Sequence, residues 1–350
     1  MKTSFISNQA MQNAMRLTIS RGQTEVQTLQ KEIVTGRYAD IGLALGAQTS
    51  NSITLNNDVT RLKSMQASNS LVTQRLSASQ LSLNLMADSA QQMLEAFISV
   101  SGADDANRLG VAVRDVEAAL GAFTVAANTS SNGEYLFAGI NSSEKPLDDY
   151  FGAGSAAKAA FDTTFLAHFG YTQDDPQAVN ITVTQMDDFI TNVLEPAFSG
   201  PDWNTNWSSA NDTNISSRIL TNEVVDSGVN ANADGMRKFA LAAVIGLELL
   251  GSPISSEVRV AVNTRAMEYA GQAITGIDNQ RGSLGLSENR VTKANDSLSS
   301  QIEILTLHVV DIEGVDAYEA STRMQALLTQ VEMSYALTAR IQQLNLMNYL

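Results

Sequence analysis

Residues Leu55 to Phe97 read LNNDVTRLKSMQASNSLVTQRLSASQLSLNLMADSAQQMLEAF, and this stretch decides the fold. Leu55, Leu62, Asn69, Leu76, Leu83, Ala90 and Phe97 recur at intervals of seven, and Met65, Val72, Ser79, Met86 and Met93 make a second column. A narrow stripe of period 3.5 predicts a long helix lying along another helix with a left-handed supercoil. Outward from it the rhythm returns. Met15, Ile19, Gly22, Val26, Leu29 and Ile33 step by fours and threes near one end. Leu284, Glu288, Val291, Asn295, Leu298, Ile302, Leu305, Val309 and Ile312 do the same near the other. Met324 to Leu350 carries a wider stripe of Leu327, Leu328, Val331, Tyr335, Leu337, Ile341, Leu344 and Met347, which suits contact with more than one neighbour.

Proline divides the chain. Pro146, Pro176, Pro196 and Pro201 fall within 56 residues, Pro253 stands alone, and residues 1–145 and 254–350 have none. A proline inside a helix costs roughly 3 kcal/mol, so the proline-free arms permit long helices. Charge divides it in the same place: residues 151–235 hold two basic against eleven acidic side chains, most of the net charge of −15. That central stretch also holds both tryptophans, Trp203 and Trp207.

β signals are few. Gly133 to Gly139 is a short aromatic run after Asn132-Gly133, as expected of a hairpin strand. Arg218 to Asp226 reads as two short strands about Thr221-Asn222. Within the insert, Val179 to Thr184 is expected to be a strand and Met186 to Leu194 a short helix. Asp234 is expected to cap the helix through Met236, Phe239 and Leu241.

Composition excludes several kinds of chemistry. A pI near 4.5 disfavours a nucleic-acid binder, which needs a basic face. There is no cysteine, hence no disulfide and no thiolate zinc site. The two histidines, His168 and His308, are far apart, and His308 reads as an ordinary histidine beside the seam residue Leu305. None of the seven lysines follows a glycine, so the phosphate-cradling Gly-Lys-Ser/Thr loop is missing. Gly152-Ala-Gly154 lacks the third glycine of a dinucleotide fingerprint. Acidic pairs such as Asp148-Asp149, Asp174-Asp175 and Asp187-Asp188 have no calcium-loop spacing and read as solvated surface. The longest apolar run, Phe239 to Leu250, contains Glu248 and is too short to span a bilayer. The polar start, Met1 to Ala10, is not followed by the apolar core of a cleavable signal peptide. No enzyme activity, cofactor, metal, nucleic acid or membrane is expected.

Four further stretches stand out: Ile33-Val-Thr-Gly-Arg-Tyr-Ala-Asp40, Asn132-Gly-Glu-Tyr-Leu-Phe-Ala-Gly139, Ile277-Asp-Asn-Gln-Arg-Gly-Ser-Leu-Gly285 with Glu288-Asn-Arg290, and Asp316-Ala-Tyr-Glu-Ala-Ser-Thr-Arg323 leading into Met333 to Leu350. Together they resemble the bacterial flagellins and their hook-associated relatives. Each is weak alone, but four in the right order are specific together. The match covers roughly residues 1–145 and 212–350 and says little of the insert. One departure is Asp40-Ile-Gly-Leu-Ala-Leu-Gly46, where many relatives carry an Asp-Asp-Pro or Asp-Asp-Ala run. The ending, Leu344 to Leu350, is more similar to members at the hook–filament junction than to the main filament subunit.

The resemblance implies a mainly α fold, a long antiparallel coiled-coil and helical rod formed by both termini with small β-hairpins; the insert's own residues lead us to expect a central α+β or β-rich domain. The expected divisions are a coiled-coil core segment (1–45), a helical rod with a hairpin (46–145), the acidic insert (146–211), the returning rod (212–310) and a second core segment (311–350). It also implies export through the flagellar channel without a cleavable signal, and a structural role at the hook–filament junction, with a filament subunit as the alternative. Expected partners are copies of the same chain in a ring, flagellin, the neighbouring hook-associated adaptor and an export chaperone. Apolar stripes near both chain ends are expected to pair with each other or with other subunits. The expected assembly interface is therefore Met15, Ile19, Val26, Leu29, Ile33, Leu298, Ile302, Leu305, Val331, Leu337, Ile341, Leu344 and Leu350.

Overall fold

The structure, a computed structural model, describes residues 8–102 and 105–347. The chain forms two units, one of Met1–Ser64 with Ser297–Leu350 and one of Met65–Asp296. Two long helices, α3 (Thr49–Ser99) and α10 (Ser256–Glu313), contribute to both.

The first unit contains α1 (Asn8–Thr35), α2 (Ile41–Leu45), the start of α3, the end of α10 and α11 (Ala317–Met347). Helix α1 stops at Gly36, whose φ of 67° is the left-handed conformation that favours glycine. Asp40 caps α2 by accepting from the Leu43 amide at 2.9 Å. Asp316 accepts from the amides of Tyr318 and Glu319 and so starts α11.

In the second unit α3 and α10 run antiparallel, as their cross-links show: Asn69 to Asn295, Gln80 to the Arg281 carbonyl, and Asn263 to the Phe97 carbonyl. The heptad columns of α3 are the buried face: Val72, Leu76, Leu83, Met86, Ala90, Met93 and Phe97 lie in the core. Helix α4 (Ala106–Ala127) and helix α9 (Asp234–Leu249) complete the layer. The apolar run noted in the sequence becomes α9, buried on every face from Phe239 to Ile245, as expected of a central core helix. Phe239 stacks on Phe123 with ring centroids 3.8 Å apart.

Two antiparallel hairpins are present among the described residues. The first pairs β1 (Ser130–Ser131) with β2 (Glu134–Tyr135). Its turn residues Asn132 and Gly133 both have positive φ, 53° and 83°, which is why the Asn-Gly pair sits there. The strand is shorter than Gly133 to Gly139, because beyond Leu136, whose amide still donates to the Thr129 carbonyl, the chain pairs elsewhere: Phe137 accepts from the Ala231 amide and Ala138 bridges Asn230. The second hairpin, β3 (Ser216–Leu220) with β4 (Glu223–Asp226), turns at Thr221-Asn222 as the sequence implies.

The insert is helical, and the expected strand at Val179 to Thr184 is not formed. Helix α5 (Ala156–Phe169) is followed by a 3-10 turn at Pro176–Asn180, α6 (Val183–Asp188), a π-helical stretch at Phe189–Leu194, α7 (Glu195–Ser199) and α8 (Asp202–Asn206). Two caps divide the apolar run that resembled a strand. Asp175 caps the 3-10 turn begun by Pro176, and Thr182 forms a capping box with Gln185 at the start of α6. The helix expected over Met186 to Leu194 is present, and it widens to π geometry ahead of Pro196, whose ring cannot fit behind a regular i−4 carbonyl. Asp234 also differs from expectation. Ala233 holds the cap position without a side-chain bond, and Asp234 is the first helical residue, where its charge complements the helix dipole.

Candidate assembly surface

Three ties give the relation of α1 to α11. Thr338 Oγ1 donates to Met15 Sδ at 3.7 Å, Gln23 Nε2 donates to the Tyr335 hydroxyl at 2.8 Å, and Arg37 forms an antiparallel bridge with Gly314. As numbers rise along α1 they fall along α11, so the two helices pack antiparallel. They pack tightly at Gly22, where a Cβ would lie 2.8 Å from Val331 Cγ2. A glycine in the seam lets the isopropyl group sit against bare backbone.

The structure brings the predicted seam of α1 together with α11. Ile19 and Leu29 are buried, and Met15, Val26 and Ile33 are half-buried. On α11 the inward positions are Ala320, Met324, Leu327, Val331, Ser334 and Thr338, a narrow four-three seam rather than the wide stripe expected. The remainder of that stripe faces outward: Leu328, Tyr335 and Leu337 are exposed, Leu337 to 54%. The physical reason is that a single antiparallel neighbour covers only the a/d positions. Leu298 is buried on α10, and Ile302 and Leu305 are half-buried there. Leu350 and the side chains of Ile341 and Leu344 lie outside the described residues.

Several large apolar side chains of this unit stay exposed. Leu17 on α1, Ile304, Leu307 and Val310 on α10, and Met333 on α11 are exposed along with the α11 residues above. Exposed apolar side chains mark surfaces that meet other protein where they form a contiguous patch.

Charged groups inside the second unit work as ties. Glu248, the one charge in the apolar run, accepts from Tyr150 at 2.7 Å, Lys158 at 3.0 Å and Gln173 at 3.3 Å. Burial, then the Glu248 charge and hydrogen bond, push the Tyr150 hydroxyl well above the usual phenol range. Burial pulls Lys158 down, but its bonds to Asp162 and Glu248 outweigh this and hold the ammonium high. A second tie joins Glu195 to Lys238 at 2.5 Å and Tyr269 at 2.7 Å. Burial opposes ionisation of Glu195, yet those two bonds prevail and lower its pKa, while burial and Glu195 raise that of Tyr269. Asn232 makes a third, uncharged tie by accepting from Trp203 Nε1 and Ser208 Oγ. Sequence reasoning noted Glu248 only as an interruption and missed Glu195. Their partners are distant in the chain, so no local pattern marks them.

Among the described residues no three His, Asp or Glu side chains converge as a metal site, and no helix is long and apolar enough to cross a membrane. His308 is exposed on α10, and the His168 ring lies against Phe169 and Phe189.

The fold defines a mainly helical protein in which α1, toward one end of the chain, pairs antiparallel with α11, toward the other. The profile of the bacterial flagellin N-terminal helical region matches residues 6–142, and that of the C-terminal helical region matches residues 267–350. The chain belongs to the bacterial flagellin family, a family of structural proteins, and is a component of the flagellum. Its fold is shared with a solved structure from Vibrio parahaemolyticus assigned as a flagellar hook-associated protein. That match has a TM-score of 0.53 and 9% identity over 76% of this chain and 97% of the other. No curated protein matches by sequence.

Proposed function

We propose that this protein connects the flagellar hook to the filament and supports filament assembly, associating with copies of itself in a ring. The observation that carries the reading is the antiparallel α1–α11 pair with apolar residues left outward on both helices. A surface of that kind is used by packing against similar helices of neighbouring subunits, each buried large side chain contributing roughly 1.5–3 kcal/mol. The junction role, rather than the filament itself, is supported by the ending Leu344 to Leu350 and by the fold shared with the hook-associated Vibrio protein. Flagellin, the hook-side adaptor and an export chaperone are the further partners proposed.

The interface proposed comprises the seam residues Met15, Ile19, Val26, Leu29, Ile33 and Val331, the α10 residues Leu298, Ile302 and Leu305, and Leu337, Ile341, Leu344 and Leu350 toward the C-terminus. A deletion strain and immunogold labelling test the role. Hooks without attached filaments, flagellin shed into the medium, and label confined to the hook–filament boundary are expected. Label along the whole filament would instead make the chain a filament subunit, the reading favoured if the flagellin profiles alone decide.

A further inference from the structure

Glu313, the last residue of α10, is fully buried, and its carboxylate is shared by three side chains from the other side of the chain. Arg37 Nη1 donates to one oxygen at 3.1 Å; Ser52 Oγ at 2.5 Å and Asn56 Nδ2 at 2.7 Å donate to the other. The main chain repeats the tie. The Tyr38 amide donates to the Glu313 carbonyl at 3.0 Å, and the Val315 amide donates to the Gly36 carbonyl at 3.1 Å. Glycine is required on both sides of the crossing: Gly36 has φ 67°, and a Cβ on Gly314 would overlap the Val310 carbonyl oxygen. The end of α1, the start of α3, the end of α10 and the turn into α11 therefore meet at one carboxylate.

A carboxylate removed from water persists only when paired and hydrogen-bonded. Arg37 supplies the positive charge, and its own side chain is 44% exposed, so it can leave for solvent while Glu313 cannot without unwinding the end of α10. We propose that Glu313 is a latch that makes the two chain ends order as one event. Withdrawal of the Arg37 turn leaves an uncompensated buried charge, which favours release of the α10–α11 turn; release of that turn in turn frees Arg37. Coupling of this kind is reciprocal by thermodynamic necessity.

Reciprocity supplies the test. Amide hydrogen exchange is measured on the full-length protein and on Glu313→Gln and Arg37→Met. Glutamine keeps the shape but removes the charge; methionine removes the cation from a half-exposed site and creates no overlap of its own. The expected result is exchange faster by about fivefold or more, a typical coupling factor, in both segments 28–38 and 314–326 for either variant, with 65–296 at parent rates. Arg37→Met that speeds only residues 36–40 and leaves 314–326 at parent rates would overturn the latch, as would Glu313→Gln with both segments unchanged. If Glu313→Gln also loosens 65–296, Arg37→Met alone decides between the same two outcomes.

Discussion

Gly235 and Gly276 touch backbone to backbone. A Cβ placed on Gly276 would lie 2.5 Å from Gly235 Cα, and one placed on Gly235 would lie 2.7 Å from the Gly276 carbonyl carbon. The first turn of α9 thus crosses the middle of α10 at a distance that no side chain allows.

Gly276→Ala should therefore destabilise the protein, although the same change in a free helix would help it. Overpacking against backbone costs roughly 1–3 kcal/mol, and more where neither partner can move. Gly282 lies on the same helix, and a Cβ added there would meet nothing within 4 Å, so Gly282→Ala should stabilise by about 0.5–1 kcal/mol. Urea denaturation of both variants checks the pair. Equal behaviour would mean that the glycine contact does not constrain the fold.

Alkali should weaken the second unit. Tyr150 and Tyr269 both have folded pKa values raised above 10, so each retains its proton in the fold longer than in the unfolded chain. Their contribution is complete below pH 10 and is lost as pH rises beyond it. The urea midpoint should fall between about pH 10 and 11.5, and the fall should be shallower in Tyr150→Phe and shallowest when Tyr269→Phe is added. An unchanged slope in the double variant would assign the alkaline loss to other groups.

The contrast between α3 and the insert shows what the sequence made legible. The columns from Leu62 to Phe97 were readable because a helix repeats its contacts every seven residues, so burial is written locally. Even the breaks in the columns, Asn69 and Ser79, are buried, and Asn69 faces Asn295 at 2.9 Å. The insert was misread at Val179 to Thr184 because a short apolar run fits a strand as well as a capped turn, and the caps Asp175 and Thr182 decided it. On the assembly surface, the seam residues followed from spacing. Which of the remaining apolar residues of α11 stay outward did not, because that depends on the number of neighbours rather than on the sequence of one helix. The clasp at Glu313 was invisible for a related reason: Arg37, Ser52 and Asn56 reach it from sequence distances above 250.

Asn232 should be the polar residue on which the insert's attachment most depends. Its Oδ1 accepts from Trp203 Nε1 at 2.8 Å and Ser208 Oγ at 2.6 Å, and its Nδ2 donates to the Ala210 carbonyl and to Asp212. Asn232→Ala would leave the buried indole N–H without a partner, at about 1–3 kcal/mol for that group alone. Trp203 and Trp207 stack 5.6 Å apart and are the chain's two tryptophans, so intrinsic fluorescence reports on this site directly. The fluorescence-monitored urea midpoint should drop in Asn232→Ala. An unaltered midpoint would mean that water replaces the side chain.

Leu337 separates pairing within a chain from pairing between chains. It is 54% exposed on α11, whereas Ile19 is 9% exposed in the α1 seam. Aspartate at an already exposed site changes stability little, within about 0.5 kcal/mol, because the carboxylate stays in water. Aspartate in a contact with a neighbouring subunit is buried unpaired and strongly penalised. Leu337→Asp should therefore leave the melt of the isolated protein unchanged and abolish filament retention in complemented cells. Ile19→Asp should loosen α1 from α11 already in the isolated chain, read as faster amide exchange along both helices. Failed export would also remove filaments, so the secreted amount of each variant must be measured first, and only a normally secreted Leu337→Asp tests assembly. If that variant is secreted at parent levels and still holds filaments, the outward face of α11 at Leu337 is not a subunit contact.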